Sequence, residues 1–239
     1  MSVICEGKKL KRTGFVPLFA GGGLLAAAVP VLNMGFREEL YTGQSGNPLH
    51  ILLAANWQMM GMLNLFLVLI GACVLYHIEY RDCALRKMDM LPLSKPGLFF
   101  SKCLMLFGGC CGAVVLETVS LGFCMGYWFS LPAGWAAELS AHLGFSLLVL
   151  APVVILMTAI SSTCSNMWVT LGIGLLGSFV PIAVGQTDSA LIFFPFSMPL
   201  EFLQGMDGER IFWLALAACA EGILFSGAAV FYQKKRGSM

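Results

Sequence analysis

The sequence predicts an all-α integral membrane protein with six membrane-spanning helices. Of its 239 residues, 58% are hydrophobic and only 11% are charged, whereas a soluble domain carries about 25% charged residues. The mean hydropathy is +0.83. Apolar runs of about 20 residues or more, the length that crosses a bilayer, recur along the whole chain. A net charge of +1 gives no indication of nucleic-acid binding.

The first span is predicted at residues 13–36, which contain no charged side chain. As a helix this run would be about 36 Å long, enough for a hydrocarbon core of about 30 Å. Residues 1–12 mix apolar and basic side chains, a pattern that indicates an amino-terminal helix at the lipid headgroups. The glycines at 21–23 would let a neighbouring helix approach closely. After a polar turn, the second span at 51–78 would be about 42 Å long, so it tilts or continues beyond the membrane.

Residues 79–102 form the long charged segment between two apolar runs. Three apolar residues recur at a three-residue step: Leu85, Met88 and Leu91. Charged residues, among them Arg81 and Arg86, fill the other faces until Pro92 ends the helix. The pattern predicts a short amphipathic helix outside the membrane. It either rests on the headgroups and its own spans or forms a docking surface for a cytosolic partner.

The third, fourth and fifth spans are predicted at 103–127, 139–160 and 167–187. The third ends in Tyr127 and Trp128, amphipathic aromatic residues suited to a membrane interface. Between Glu138 and Asp188 there is no charged residue, and this stretch is too long for one span. A tight turn at 161–166 therefore joins two spans, in which Pro152 and Pro181 are expected to produce bends.

Residues 188–210 are too apolar for a free loop, yet Pro195 and Pro199 interrupt them. We expect a re-entrant hairpin at the outer leaflet. Its aromatic side chains either pack on the protein's own spans as a lid or contact a substrate, and the candidates are Phe193, Phe194, Phe196 and Phe202. The last span is predicted at 211–232, and a basic segment follows it.

The distribution of basic residues predicts the orientation. Of the 14 Lys and Arg residues, all except Arg37 and Arg210 fall on one side of the predicted spans. Loops rich in Lys and Arg stay in the cytoplasm. Both termini and the segment 79–102 are therefore expected to be cytoplasmic, and the hairpin is expected outside.

The sequence lacks the patterns of the common membrane enzymes. It has no HExxH zinc motif and no GxxxxGK[ST] phosphate loop, so no catalytic, metal or cofactor-binding residue is predicted in this chain. Its nine cysteines are interpreted mostly as small apolar residues. Two carboxyl groups do lie at membrane depth, Glu117 and Glu221. Each is either a neutral group hydrogen-bonded between helices or part of a polar path that contacts substrate.

The order of these parts resembles the permease subunits of type-2 ABC exporters. The matching pieces are residues 3–12, 79–102 and 191–205, and the loop contains the LPxSK pattern that ends at Lys95. The resemblance implies that 79–102 holds a coupling helix for a cytosolic ABC ATPase, which binds ATP and magnesium on another chain. It also implies a second permease subunit. The coupling residues would be Arg81, Leu85, Arg86, Met88 and Leu91.

Two further features are similar to the lantibiotic-immunity permeases: the adjacent Asn56 and Trp57, and the sequence FFPFSMP at 193–199. This narrower resemblance implies a subunit, not itself catalytic, that expels amphipathic antimicrobial peptides from the bacterial cytoplasmic membrane. It also implies a second permease different in sequence. Two alternatives stay open. One is an ABC permease for a lipid, drug or other cargo, and the other is a membrane scaffold or sensory subunit without transport.

Overall fold

The computed structural model describes residues 13–81, 95–184 and 190–237, and within these ranges the chain is helical with no strand. The six long helices of the described chain are α1 Phe15–Thr42, α2 Pro48–Arg81, α3 Lys95–Trp128, α4 Trp135–Thr163, α5 Met167–Val184 and α6 Gly208–Gly237. Two short 3₁₀ helices, Ala190–Phe193 and Met198–Leu200, lie between α5 and α6. The predicted interfacial helix at 1–12 and the amphipathic helix around 85–91 lie outside the described residues.

The predicted multi-pass membrane architecture is confirmed at the level of helices. Five helices are long and apolar enough to cross a membrane, namely α1, α2, α3, α4 and α6. The apolar helix α5 is shorter, with 18 residues, which correspond to about 27 Å. Both α4 and α5 run through their prolines, Pro152 and Pro181, as single helices. In α1, by contrast, Arg37 leaves helical geometry with φ −137° and ψ 35°.

The second helix is the centre of the bundle. In its most apolar stretch 67% of the residues are buried, against 28% in α1 and 17% in α6. Helices α1 and α6 therefore leave most of their apolar side chains on the outer surface, which suits contact with lipid or with another membrane subunit. The protein's own core is built mainly by α2, α3 and α4 with one face of α1.

Close helix packing around α1 depends on small residues, as predicted for Gly22 and Gly23, whereas no atom lies within 4 Å of a Cβ position at Gly21. A Cβ atom at Gly23 would lie 3.0 Å from the Cα atom of Ala113 in α3. The ring of Phe19 fits against Gly71 of α2 and Gly109 of α3, where a Cβ atom would approach that ring to 2.9 Å. The glycines thus allow α1 to lie against both neighbouring helices.

The bundle has two distinct ends. At the lysine end, where α6 runs into Lys234 and Lys235, a three-residue turn joins α4 to α5, and Asn166 Oδ1 accepts the Trp168 amide hydrogen at 2.9 Å. The segment 190–207, which covers most of the predicted hairpin and keeps that name, lies at the opposite end, the hairpin end, with the amino-terminal parts of α2 and α4. Because neighbouring helices alternate in direction, α1 begins and α6 ends at the lysine end.

Candidate functional site

The segment between α5 and α6, residues 190–207, is folded into the hairpin end of the bundle. Every residue from Pro195 to Leu200 is buried, and Met198 has no exposed surface. Met198 packs with Phe145 and Val149 of α4 and with Leu214 of α6. This segment therefore forms part of the protein's core and closes one end of the bundle.

Helix α2 provides the seat for this hairpin. At Gly61 a Cβ atom would lie 2.9 Å from the carbonyl oxygen of Pro199, so only glycine lets the two backbones come this close. One turn earlier, Trp57 Nε1 donates a hydrogen bond to the carbonyl oxygen of Glu201 at 3.0 Å. The indole is only 2% exposed, so this bond satisfies its single donor in an apolar environment.

The adjacent pair Asn56 and Trp57 connects two different elements. Asn56 Oδ1 accepts a hydrogen bond of 2.8 Å from Asn33 Nδ2 of α1, whereas Trp57 binds the hairpin. The other side of the Trp57 ring meets the buried His142 of α4 edge-on, with 4.7 Å between the ring centroids. In the sequence, this pair was noted only as a feature similar to the lantibiotic-immunity permeases. Its structural role required the contacts of α2 with α1, α4 and the hairpin.

The four phenyl groups proposed from the sequence lie in different environments. Phe196 is 4% exposed and its ring covers Gly177 of α5, where a Cβ atom would be 2.8 Å away. Phe194 is partly buried with its ring centroid 5.6 Å from that of Phe196. Phe202 packs edge-on against His50 at 5.9 Å. Only Phe193 of the four presents a large exposed fraction, 42%.

Ionic and polar contacts hold the carboxyl-terminal part of the hairpin. Arg210 Nη2 lies 3.2 Å from Glu201 Oε2. Burial raises the pKa of the Glu201 carboxyl group above its ordinary value, and the positive charge of Arg210 partly opposes this shift. Gln204 Nε2 donates to the carbonyl oxygen of Glu138 in α4 at 3.3 Å. The hairpin is therefore attached to α2, α4 and α6 together.

The surface around the hairpin is predominantly acidic. Its exposed carboxylates in the described chain are Glu38, Glu39, Asp207 and Glu209, and Glu138 is partly buried. The described cationic side chains at this end are Arg37 and Arg210, and Arg210 is already paired with Glu201. This end of the bundle therefore favours a cationic ligand over an anionic one.

Glu117 lies inside the bundle, between α2 and α3. It is 1% exposed, and its Oε2 accepts a hydrogen bond of 2.9 Å from Nδ2 of Asn64, which is itself 4% exposed. Within the described residues, neither Glu117 Oε1 nor Asn64 Oδ1 has a hydrogen-bond partner. The pair joins α2 to α3. Asn64 was not predicted from the sequence, because no sequence pattern relates two residues that are 53 positions apart.

Glu221 lies on α6, in a different environment from Glu117. Its side chain is partly buried, and among the described residues its Oε2 atom has no hydrogen-bond partner. Two and three residues further along α6, Ile223 and Leu224 are 75% and 65% exposed. The structure therefore does not bring the two carboxyl groups into one site. Glu221 belongs to the helix with the most open surface.

Of the proposed coupling residues, Arg81 ends α2 and the others, Leu85, Arg86, Met88 and Leu91, lie outside the described residues. The helices on both sides of this loop are firmly held. Tyr80 donates its hydroxyl hydrogen to the carbonyl oxygen of Ser162 in α4 at 2.7 Å. Lys102, 3% exposed, donates to the carbonyl oxygen of Leu75 at 3.1 Å and lies 5.0 Å above the ring of Tyr76.

The described residues contain no cluster of three or more His, Cys, Asp or Glu side chains that could hold a metal ion. The seven described cysteines have free thiols, and four of them, Cys73, Cys103, Cys110 and Cys124, are buried in the bundle. Buried thiols of this kind act as small apolar groups.

The chain matches a known protein family over most of its length. The family described as "ABC-2 family transporter protein" matches residues 2–181. This range includes the predicted interfacial helix, the segment 79–102 and the helices from α1 into α5. No curated protein and no solved structure matches the chain.

Proposed function

The chain belongs to the ABC-2 transporter family, and from this premise we propose that it serves an exporter that removes cationic amphipathic peptides of the lantibiotic type from the bacterial cytoplasmic membrane. Family membership makes it the permease subunit of an ABC transporter, which works with a cytosolic ABC ATPase. The cargo, the second permease and the direction of transport are the proposed part.

The observation that supports this cargo is the surface at the hairpin end. An exposed aromatic ring, Phe193, lies on an apolar hairpin, and the charged side chains at this end of the bundle are mainly carboxylates. An amphipathic cationic peptide offers the complementary pair of features, an apolar face and positive charge. The excess of Lys and Arg at the other end of the spans directs the hairpin end outward. A peptide inserted in the outer leaflet would meet this surface.

Within the proposed path, Phe193 and the half-buried Phe194 contact the peptide, while Phe196 and Phe202 fix the hairpin on the bundle. Glu221 attracts the positive charge of the peptide or lines its route, since it lies beside the open surface of α6. Glu117 contributes indirectly, because it holds α2 against α3 through Asn64.

The remaining subunits of the proposed transporter are separate chains. We propose that ATP and magnesium bind to the cytosolic ATPase, which docks on the segment 79–102 through Arg81, Leu85, Arg86, Met88 and Leu91. Tyr80 and Lys102, at the two edges of this segment, are held to α4 and α2, so a displacement of the segment would move the bundle. A second permease, different in sequence, would cover apolar surface on α1 or α6.

The test is peptide resistance in bacteria that express this chain with its ATPase and second permease. We expect protection against a cationic amphipathic cyclic peptide, and none against a variant of that peptide with its Lys residues replaced by Glu. Protection against an unrelated lipid or drug but not the cationic peptide would identify another cargo. An ATPase that copurifies with this chain but hydrolyses ATP independently of it would identify a scaffold instead.

A further inference from the structure

A groove lies between α4 and α6 at the lysine end of the bundle. It has a volume of about 330 Å³ and is open along one side. Its walls are mainly apolar, with Leu156 and Ile160 contributed by α4 and Phe225 and Ala228 by α6. No residue of the hairpin takes part. This groove is therefore separate from the peptide surface proposed above.

The end of the groove nearest the lysines is polar and preformed. Ser162, Thr163 and Tyr232 line it there. Gln233 Nε2 of α6 donates to Ser162 Oγ at 3.0 Å, and the Tyr80 hydroxyl of α2 donates to the Ser162 carbonyl oxygen at 2.7 Å. These bonds fix the carboxyl-terminal ends of three helices relative to one another. The groove thus exists before any ligand arrives.

Positive charge lies immediately beyond this polar end. Lys234 and Lys235 follow Gln233 on α6, and both side chains are exposed. Phe225, Ala228 and Tyr232 line the groove at helical spacings of three and four residues, and the next such step after Tyr232 reaches Lys235. A ligand with its apolar part in the groove would therefore carry its polar end to the lysines.

The polar end of the groove lies at the depth of the lipid headgroups. Trp168, at the start of α5, is 72% exposed, and Tyr232 is 42% exposed. Exposed Trp and Tyr side chains at the ends of membrane helices lie at the level of the headgroups. The apolar walls of the groove continue from this level toward the middle of the bundle.

We propose that this groove binds an anionic phospholipid, with one acyl chain between α4 and α6 and the phosphate beside Lys234 and Lys235. Basic pockets between membrane helices at the cytoplasmic side hold such headgroups. A second copy of this chain fits the site less well, because a symmetric contact would bring both pairs of lysines together. The lipid would join the end of α6 to α4, next to the helix that enters the segment 79–102.

The test is native mass spectrometry of the full chain in detergent, with phosphatidylglycerol and phosphatidylcholine that carry identical acyl chains. We expect one tightly bound phosphatidylglycerol per chain. Lys234→Gln with Lys235→Gln should reduce the preference for phosphatidylglycerol by about 25-fold, since each lysine near a headgroup is worth about 1 kcal/mol. Lys234→Arg with Lys235→Arg should keep the preference, because the charge is unchanged.

A second pair of variants tests the acyl-chain position. Ala228→Leu should narrow the groove and weaken binding of both lipids, whereas Ala220→Leu changes an exposed residue of the same helix outside the groove and should have no effect. Equal binding of the two lipids to the unchanged chain would overturn the proposal. An unchanged preference in the double Gln variant, or a dimer that excludes lipid from this face, would also overturn it.

Discussion

A single buried carboxyl group, Glu117, determines how α2 and α3 are joined in the middle of the bundle. Between Lys102 and Arg210 the sequence contains no other Lys or Arg, and α1 and α2 carry none between Phe15 and Phe36 or between Pro48 and Tyr80. An unpaired charge at the centre of a membrane helix costs about 2.5 to 3.5 kcal/mol. The neighbouring hydroxyl groups are already engaged, since Thr118 donates to Val114 and Ser120 to Ala27. The site therefore favours a neutral group.

Glu117→Gln should consequently keep stability, because the amide of Gln, like a neutral carboxyl group, can both accept from and donate to Asn64. The expected change is smaller than the net contribution of one hydrogen bond, about 1.5 kcal/mol. Asn64→Leu should cost about 1 to 3 kcal/mol, because it leaves the buried carboxyl group without its donor. Thermal unfolding of the purified chain measures both changes, with Glu221→Gln as the control on a more open helix.

The two interpretations of Glu117, as a required charge or as a packing group, also predict different transport. If Glu117→Gln is fully folded but no longer confers peptide resistance, the charge itself is required and the packing role is insufficient.

The hairpin carries the proposed peptide-binding surface, and its position depends on Gly61. Replacing a glycine inside a helix by alanine normally raises stability by about 0.5 to 1 kcal/mol. Gly112→Ala, in α3, should show this gain, because no atom lies within 4 Å of the new methyl group. Gly61→Ala places a methyl group 2.9 Å from the Pro199 carbonyl oxygen, so it should lose stability and displace the hairpin.

Unfolding temperatures and the rate of proteolysis within 190–207 measure the two glycine variants. Equal stability of the two variants and equal protection of the hairpin from protease would show that α2 is not the seat of this segment.

The phenyl groups of the hairpin should divide into two classes. Phe193→Ser should lower peptide resistance without loss of stability, since the side chain is 42% exposed. Phe196→Ser should destabilise the protein by about 3 to 5 kcal/mol, because it empties a buried site. Phe231→Ser, at an exposed position of the lysine end, is the control for the loss of an exposed aromatic side chain. Full resistance in the Phe193 variant at normal expression would remove the substrate role of this ring.

The whole transporter depends on a contact that this chain shares with its ATPase. Burying a side chain such as Leu85 or Met88 in a partner groove is worth about 1.5 to 3 kcal/mol, or about ten- to a hundredfold in affinity. Leu85→Asp with Met88→Asp should therefore abolish copurification of the ATPase and peptide resistance while the chain still inserts. Arg86→Gln with Lys87→Gln should have a much smaller effect, since exposed ion pairs contribute about 0.2 to 1 kcal/mol.

Pull-down of the ATPase from solubilised membranes, with its ATP hydrolysis measured in the same sample, tests this contact. A stoichiometric and active ATPase on the double Asp variant would restrict the segment 79–102 to a role at the membrane surface.

The sequence alone determined the helical class and the presence of several long apolar helices. In a bilayer each spanning segment must satisfy its own backbone hydrogen bonds, so length and hydropathy suffice to find it. The tight turn before α5 and the start of α6 near residue 208 follow from such local signals. The spacing of Leu85, Met88 and Leu91 likewise predicted an amphipathic helix, and its coupling role is what the resemblance to type-2 ABC permeases implied.

The tertiary structure decided which side of each helix packs against the rest of the protein. Helices that are apolar all round, such as α2, carry no periodic signal for the buried face, because lipid and protein interior are equally apolar. Only the fold brings Trp57 to Glu201, 144 residues later in the chain, and Asn64 to Glu117. For the same reason it alone buried Phe196 and left Phe193 exposed, although the two rings lie three residues apart in one aromatic segment.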